Sequence, residues 1–536
     1  MNPDSSGGLS APLTDLILFL GSIPSDDEHM ERGEQEPPFF LSQISDQAGV
    51  AYEKIRSAVD NKEEHFLRRH AIRRIAKRVM WFSEDPKTIT TMLLRDLYRG
   101  GYLPKRSVSR LIEDEVTHTV TAFLQLSMRV EGGVSTSEFI GLRSRLLDII
   151  AGAIEDTLYP THNEEAVVAT LTRITLDSLD LSQYLPLPED KKTTLVYLSS
   201  WRSLFGADNA LLIYKLWRLQ YSDWERQGEA GMQQMADIFP QFATDSELLL
   251  GHSFGKKLVP RMRNVSIAML VLYELVKKYG PGIATLARDP EGFRARVRDI
   301  ILAKYREDIT RAARRAWRAV IYILCTKALL AVAVESISVS VFKQSLNYVA
   351  ILINILFHPF LLFILTLGLV PPRAKNTERL VAFISDIVYG GVLPRIVVKQ
   401  DTRGIVSDIA LAVYVATLGA MLFGITEGLD AIGFHFIDIG FFMIFLALVL
   451  YFGFRIRVAA RRMELAGARE GFLRSLVELS MLPIVSVGRF LVTRFERLNF
   501  IAIFLDFFIE LPLKLVLEFF DSFSAVLKEK KEEMYS

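Results

Sequence analysis

The chain has 536 residues, of which 50% are hydrophobic, and its formal net charge is +1. Its mean hydropathy of +0.24 is positive, whereas a soluble protein of this length is usually net hydrophilic. The near-neutral charge indicates neither a nucleic-acid partner nor a strongly acidic one, and the single cysteine, Cys325, excludes a disulfide within one chain. Some segments must therefore be more apolar than a soluble core requires.

Residues 1–36 are predicted to be a disordered acidic tail. They are rich in Ser, Gly, Asp, Glu and Pro, with few apolar anchors. No basic stretch follows Met1, and the apolar run 13–23 is too short to span a membrane and contains Asp15. We therefore expect no signal peptide.

Residues 37–315 have the pattern of a cytoplasmic domain built only from helices. Helix-start signals recur in it, such as Pro86 behind Asp85 and the cap residues beginning at Ser135, and Gly280-Pro281-Gly282 is a stop signal. Runs with the period of two that marks strands are hard to find. The sequence predicts an all-α domain, without a sheet, that is long enough to bury its own core.

Four apolar segments follow, and each is long enough to cross a hydrocarbon core of ~30 Å. These predicted membrane spans are residues 319–342, 346–370, 405–424 and 434–454. Lysines and arginines cluster on one side of the spans, whereas the loops on the other side carry one lysine, Lys343. Because positive residues stay inside the cell, we predict an integral, multi-pass protein of the cell membrane with both termini in the cytoplasm.

Residues 456–536 are predicted to form amphipathic helices. Asp506, Glu510, Lys514 and Glu518 recur every four residues and so share one stripe of a helix. Such a helix lies on a membrane surface or on a partner more readily than it spans. For residues 472–520 the pattern leaves both placements open.

The pentapeptide Gly251-His252-Ser253-Phe254-Gly255 resembles the nucleophile elbow of the α/β-hydrolases, which implies a catalytic role for Ser253. The elbow requires a strand of a parallel sheet before the serine, and an acid and a histidine after it. Here the surrounding pattern is helical, and the later histidines fall in predicted spans. A turn between two helices is the preferred interpretation, and a serine hydrolase ranks third among the functions considered.

No metal site or cofactor is predicted. Glu115 and His118 lie on one helical face, but a two-metal helical site needs this pair twice, and no second Glu-x-x-His occurs. The sequence also lacks a phosphate loop, paired cysteines and a dinucleotide fingerprint.

One predicted helix carries a basic band of six cations: Arg68, Arg69, Arg73, Arg74, Lys77 and Arg78. The preferred interpretation is a solvated face whose cations pair with Glu63 and Glu64. Contact with the anionic inner leaflet comes second and nucleic acid last.

The predicted spans contain a candidate polar site of five residues: Lys327, Glu335, Asn354, His358 and Asp408. Counting ~1.5 Å per residue places Glu335 at the depth of Asn354, and Lys327 and Asp408 in the cytoplasmic half, where we expect them to pair. Lys327 reaching toward the cytoplasm is the other interpretation. Hydrogen bonding between helices is the preferred role of the site, and an ion or proton path is the alternative.

Four cations precede the first span and are predicted to contact anionic lipid: Arg311, Arg314, Arg315 and Arg318. They lie on a helix predicted to run unbroken from Pro290 to about Phe342. The leading hypothesis is a non-enzymatic membrane-anchored scaffold whose cytoplasmic domain binds an unidentified protein partner, with a homo-oligomer left open. The alternative is a transporter or channel for an ion, a proton or a small solute.

Overall fold

In the computed structural model the described residues cover most of the chain between residues 64 and 494. They are Thr14, 64–103, 109–184, 186–342, 348–367, 369, 371–391, 393–400, 405–434, 436–465, 481–492 and 494. The predicted tail 1–36, apart from Thr14, and the predicted stripe in 498–520 lie outside this description.

The described chain is all-α, as predicted, and it divides into two compact units. Unit 1 comprises Met1–Ala284, Val392–Lys399 and Asp506–Ser536, and unit 2 comprises Thr285–Gly391 and Gln400–Leu505. This division falls at Ala284, whereas the sequence pattern placed a boundary near residue 315. The first part of the helix that begins at Pro290 therefore belongs with the apolar helices that follow it.

Several helices of unit 1 begin or end at the signals read from the sequence. They are α1 Glu64–Phe82, α2 Pro86–Arg99, α3 Arg110–Gly133, α4 Thr136–Leu158, α5 His162–Ser178, α6 Glu189–Phe205, α7 Asn209–Gln220, α8 Glu229–Gly251 and α9 Ser253–Tyr279, followed by the short α10 Ile283–Leu286 at the boundary. Asp85 caps α2 by accepting a hydrogen bond from the Thr88 N–H at 2.9 Å, and Ser135 caps α4 through the Glu138 N–H. The predicted starts near Pro86 and Ser135 are thus confirmed.

The basic band on α1 pairs with acids of other helices. Arg69 is buried and binds Glu155 at 3.1 Å and Asp208 at 2.8 Å, and Arg73 binds Asp148 at 2.7 Å. Burial alone would raise the pKa of Asp208, but the hydrogen bond from His70 and the charge of Arg69 outweigh it and lower this pKa to about 2. These arginines therefore hold α1 on α4 and on the start of α7, which corrects the picture of a solvated face.

A two-residue parallel ladder departs from the prediction of a domain without strands. Strand β1, Leu179–Asp180, follows α5 and pairs with β2, Ile396–Val397, which belongs to the distant segment that unit 1 takes from the second half of the chain. So short a strand leaves no alternating pattern in the sequence, because a period of two needs about four residues to be recognised.

Unit 2 is built on a helix of 53 residues, α11 Pro290–Phe342, which confirms the helix predicted to run unbroken between these residues. The others are α12 Tyr348–Leu367, α13 Ala374–Val388, α14 Ile405–Ala431, α15 Phe436–Ala460 and α16 Met481–Val492. Helix α11 packs on α12, α13 and α15, and α12 packs on α15. Helix α14 touches α15 more sparsely, through Leu418, Met421 and Ile425.

A buried asparagine fastens one end of unit 2. The side-chain amide of Asn376 on α13 donates to the Tyr305 hydroxyl at 2.8 Å and to the Met463 carbonyl at 3.2 Å. Its oxygen accepts from the Leu465 N–H at 3.0 Å. Both amide hydrogens and the oxygen of this side chain therefore have partners, and the bonds join α11, α13 and the turn after α15.

Two helices of the described chain are long and apolar enough to cross a membrane. Their apolar stretches are Ala412–Ala431 in α14 and Asp438–Ala460 in α15. The apolar stretch of α12, Ile351–Leu367, is shorter. The two stretches overlap the last two predicted spans, 405–424 and 434–454, and the four-span arrangement stays a prediction.

Candidate functional site

A polar cluster lies inside unit 2 where α11, α12 and α15 meet. The Lys327 ammonium on α11 donates a hydrogen bond to the Asn354 side-chain oxygen on α12 at 2.5 Å, and Lys327 is only 2% exposed. The structure thus brings together two of the five predicted site residues. This hydrogen bond satisfies one donor of the Lys327 ammonium, a buried charge that would be costly to leave unpaired.

Helix α15 supplies the rest of the lysine's surroundings. The Lys327 Nζ atom lies 4.3 Å from the ring centre of Phe445 and 5.9 Å from that of Phe442. An ammonium over an aromatic face is attracted by the negative face of the ring. The carboxylate of Asp438, one turn before Phe442, adds a favourable charge interaction with Lys327.

His358 occupies the neighbouring position on α12. It is fully buried, and its Nε2 lies 3.0 Å from the Phe442 carbonyl oxygen, so the imidazole donates from this nitrogen. Its ring packs on Phe442 with centroids 4.5 Å apart. The Nδ1 atom makes no hydrogen bond of standard geometry to any described residue. Lys327 and His358 therefore both contact the same turn of α15.

The register of α11 and α12 differs from the predicted one by about one helical turn. Ile323 packs with Leu362, so in an antiparallel pair residue 327 lies opposite 358, and the lysine reaches one turn further to Asn354. This direction leads away from the end of α12 that precedes Arg373. Lys327 therefore does not reach toward the predicted cytoplasmic side. Asn354 therefore contacts Lys327, whereas the sequence predicted that Glu335 would lie at the depth of Asn354.

Two predicted site residues cannot be compared with the cluster, because the side chains of Glu335 and Asp408 lie outside the description. The predicted pair between Lys327 and Asp408 stays a prediction. Sequence reasoning missed Asp438 and Phe445 as surroundings of the lysine. Their signal was available, since residues 438, 442 and 445 are spaced by four and three and share one helical face.

The four predicted lipid-contact arginines differ in their surroundings. Arg314, Arg315 and Arg318 are exposed on α11. Arg311 is half-buried and forms an ion pair with Glu307 on its own helix, so this arginine is not a free lipid-facing cation. Exposed aromatic side chains lie among and directly after these arginines, namely Trp317 and Tyr322.

Ser253 lies at a junction of two helices. Helix α8 ends at Gly251, His252 accepts a hydrogen bond from the Phe254 N–H at 3.2 Å, and α9 begins at Ser253. The Ser253 hydroxyl lies 3.0 Å from the Tyr184 hydroxyl. The residues before the serine are helical, so the strand that an elbow requires is not there. The turn between helices is confirmed, and the resemblance to a hydrolase elbow is limited to the five letters.

Glu115 and His118 lie on α3, and within the described part of the chain no group of three metal-binding side chains forms. The neighbouring acid Glu225 accepts a hydrogen bond from Thr119 at 3.3 Å, and burial raises the pKa of its carboxyl group. Comparison of this chain with known protein families, with curated proteins and with solved structures found no match.

The contact between Lys327 and Asn354 can be measured by a double-mutant cycle. We expect Lys327→Met and Asn354→Leu to lower thermal stability singly and to lose less than their sum together. The coupling should lie between about 0.6 and 1.7 kcal/mol, which are the average and the maximum measured for hydrogen bonds between helices in a membrane protein. Leu352→Ala, at an exposed position of α12, is the matched control for the loss of a side chain. Strictly additive losses would show that the two side chains do not interact in the protein.

Proposed function

We propose that the chain is a multi-pass membrane scaffold, in which unit 2 is embedded in the bilayer and unit 1 presents a helical binding surface in the cytoplasm. The observation that carries the proposal is an apolar belt on the outside of unit 2. Large apolar side chains are exposed along three of its helices: Leu352, Phe360, Ile364 and Leu367 on α12, Val413, Val415 and Phe423 on α14, and Ile444 and Phe454 on α15. A soluble protein rarely leaves so large an apolar surface in water.

Charges at the two ends of unit 2 support the same proposal. At one end α11 contacts α12 through Trp317 and Phe363, whose rings lie 5.9 Å apart. The exposed cations at this end are Arg314, Arg315, Arg318, Arg373, Lys375, Arg379 and Arg455. At the opposite end, where α14 turns into α15, the exposed charged residues that the structure describes are Glu427 and Asp430, and Asp438 follows in the first turn of α15. Positive residues remain on the cytoplasmic side, so the basic end would face the cytoplasm.

The polar cluster supports an anchoring role within this proposal. Lys327, Asn354 and His358 join three helices through direct hydrogen bonds and ring contacts, as residues that hold membrane helices together do. A transport path along the same residues is the second candidate function, and it is favoured by the burial of two ionisable groups side by side.

Topology is tested by labelling introduced cysteines with a membrane-impermeant thiol reagent in a Cys325→Ser background. We expect Gly428→Cys to be labelled in intact cells, because it lies in the acidic hairpin between α14 and α15. Gly132→Cys, at an open position at the end of α3, should be labelled only after permeabilisation. Labelling of Gly132→Cys in intact cells would contradict the proposed orientation, and so would protection of Gly428→Cys.

Transport is tested with the purified protein in liposomes. As a scaffold the chain should show no proton or potassium flux above empty liposomes. A flux that Lys327→Met abolishes while the protein remains folded would replace the scaffold with a transporter.

A further inference from the structure

Unit 1 contains a short stretch of chain from the connection between α13 and α14. This stretch, residues 393–399, together with the next residue, Gln400, is called the strap. It pairs with β1 in parallel register, with Leu179 opposite Ile396 and Asp180 opposite Val397. The Val398 N–H donates to the Asp180 carbonyl at 3.2 Å. The strap therefore extends β1 in the way that a bound peptide extends the edge of a sheet.

Alternate side chains of the strap are buried. Ile396 is 6% exposed and Val398 is fully buried, whereas Arg395 and Lys399 on either side of this pair are exposed. Alternation of this kind is expected for an extended segment that lies with one face on a surface. The two apolar side chains thus act as anchors, and the residues around them stay at the surface.

Helix α9 holds the strap from a second direction. The Arg261 guanidinium donates to the Val397 carbonyl, and the Lys257 ammonium donates to the Lys399 carbonyl at 3.3 Å. Both bonds go to the backbone of the strap and not to its side chains. The two α9 cations could therefore bind any extended segment of suitable apolar pattern in the same way. Hydrogen bonds from Ser182 lower the pKa of Asp180, and the positive charge of Arg395 on the strap adds a smaller effect in the same direction.

We propose that β1 and the start of α9 form a docking site for an extended peptide with apolar side chains at alternate positions, and that the strap fills this site as a releasable internal ligand. The strap is held by two buried apolar side chains and by a small number of hydrogen bonds to β1 and α9. Segments held in this way open locally without unfolding of the whole protein. Release of the strap would therefore expose the β1 edge and the two α9 cations to a competing peptide.

The first experiment measures binding of a fluorescein-labelled synthetic peptide with the sequence of residues 393–400. The full chain is used, in detergent, with Val398→Asp in its own strap to empty the site. We expect the Val398→Asp chain to bind the peptide at least tenfold more tightly than the wild-type chain, whose site is filled. A chain with Gln400→Ala, an exposed strap position, should behave like the wild type. A peptide that carries the aspartate should bind neither chain. Equal binding of the peptide by the wild-type and Val398→Asp chains would overturn the proposal.

The second experiment does not depend on the Val398→Asp variant being folded. Asp180→Cys and Val397→Cys are combined in a Cys325→Ser background, because residues 180 and 397 are direct partners in the ladder. We expect the oxidised form to show slower hydrogen exchange than the reduced form in residues 393–400. Failure of the disulfide to form would refute the docking site, and unchanged exchange would refute a releasable strap. The outcome is independent of the proposed scaffold function and of the number of membrane spans.

Discussion

Replacing Lys215 with alanine is expected to lower the free energy of unfolding of unit 1 by about 3–5 kcal/mol, the usual cost of removing one partner from a buried ion cluster. Lys215 on α7 is 2% exposed, and its ammonium lies 2.5 Å from a Glu165 oxygen and 2.7 Å from the Thr161 hydroxyl. It also lies 3.4 Å from a carboxylate oxygen of Asp156. Its loss would leave two carboxylates sharing Arg218.

The size of this effect follows from burial. Desolvation of the ammonium lowers the pKa of Lys215, even though the charge and hydrogen bond of Glu165 act in the opposite direction. The interactions with the acids therefore do not fully offset the free-energy cost of burying the Lys215 ammonium. The acids are nevertheless positioned around this ammonium. Removing the ammonium leaves them without their central partner, and uncompensated buried charge is what makes such substitutions severe.

The measurement is chemical unfolding of the full chain followed by tryptophan fluorescence, with Trp201 as a nearby reporter, because its ring lies 5.1 Å from the Lys215 Nζ atom. Lys192→Ala is the matched control. Lys192 pairs with Glu189 at 2.6 Å, but the Glu189 side chain is 81% exposed, so this variant should change stability by less than about 1 kcal/mol. Lys215→Met separates charge from volume: if it is as stable as the wild type, packing and not the ion cluster holds this region.

Helix boundaries were predictable because their signals are local. Asp85 and Pro86, or Ser135 and the residues that follow it, lie within one turn of each other, and the cap bond forms inside that turn. The unbroken α11 was predictable for the same reason, since no proline or glycine follows Gly292 before Phe342. Apolar length likewise located α14 and α15, whose apolar stretches overlap the predicted third and fourth spans.

The contacts that define the sites were less predictable because they are not local. Lys215 stands in a helix beside Tyr214 and Leu216 and gives no sign that Asp156 and Glu165, 59 and 50 residues earlier, surround it. The basic band on α1 was expected to meet acids nearby in sequence, and its described partners lie on α2, on α4 and at the start of α7. Within unit 2 the sequence identified the polar residues, but the predicted register of α11 and α12 differed from the observed one by about one helical turn. An apolar pattern gives the depth of a residue only approximately.

The strap shows the same limit more sharply. Ile396 and Val398 have the spacing of a strand, but the run is too short to be recognised, and its partner β1 lies more than two hundred residues earlier. Each segment contributes only two residues to this parallel pair, so nothing in either segment alone indicates it.

Replacing Gly488 with alanine is expected to destabilise unit 2 by about 1–3 kcal/mol, because an added methyl group has no room where α16 crosses α15. A Cβ atom at Gly488 would collide with the Ala447 carbonyl oxygen and lie 2.8 Å from both the Ala447 carbonyl carbon and the Tyr451 Cβ. Two of these three atoms belong to backbone, so no side chain can rotate away, and the two helices must separate. Ile484 and Val485 of α16, which pack in the same apolar cluster as Leu446 and Leu450, would lose part of their contact.

Gly440→Ala on α15 is the matched control, since a Cβ there meets nothing within 4 Å and the helix should gain slightly from the alanine. The measurement is the thermal unfolding of both variants in the same detergent, with Gly488→Leu added to enlarge the collision. We expect stability to fall in the order Gly440→Ala, Gly488→Ala, Gly488→Leu. For this part of the chain the sequence pattern left open whether it lies on the membrane surface or spans the membrane. The order of stabilities tests whether α16 packs on α15. If Gly488→Ala is as stable as Gly440→Ala, then α16 is not seated on α15, and it lies elsewhere on the membrane or on a partner.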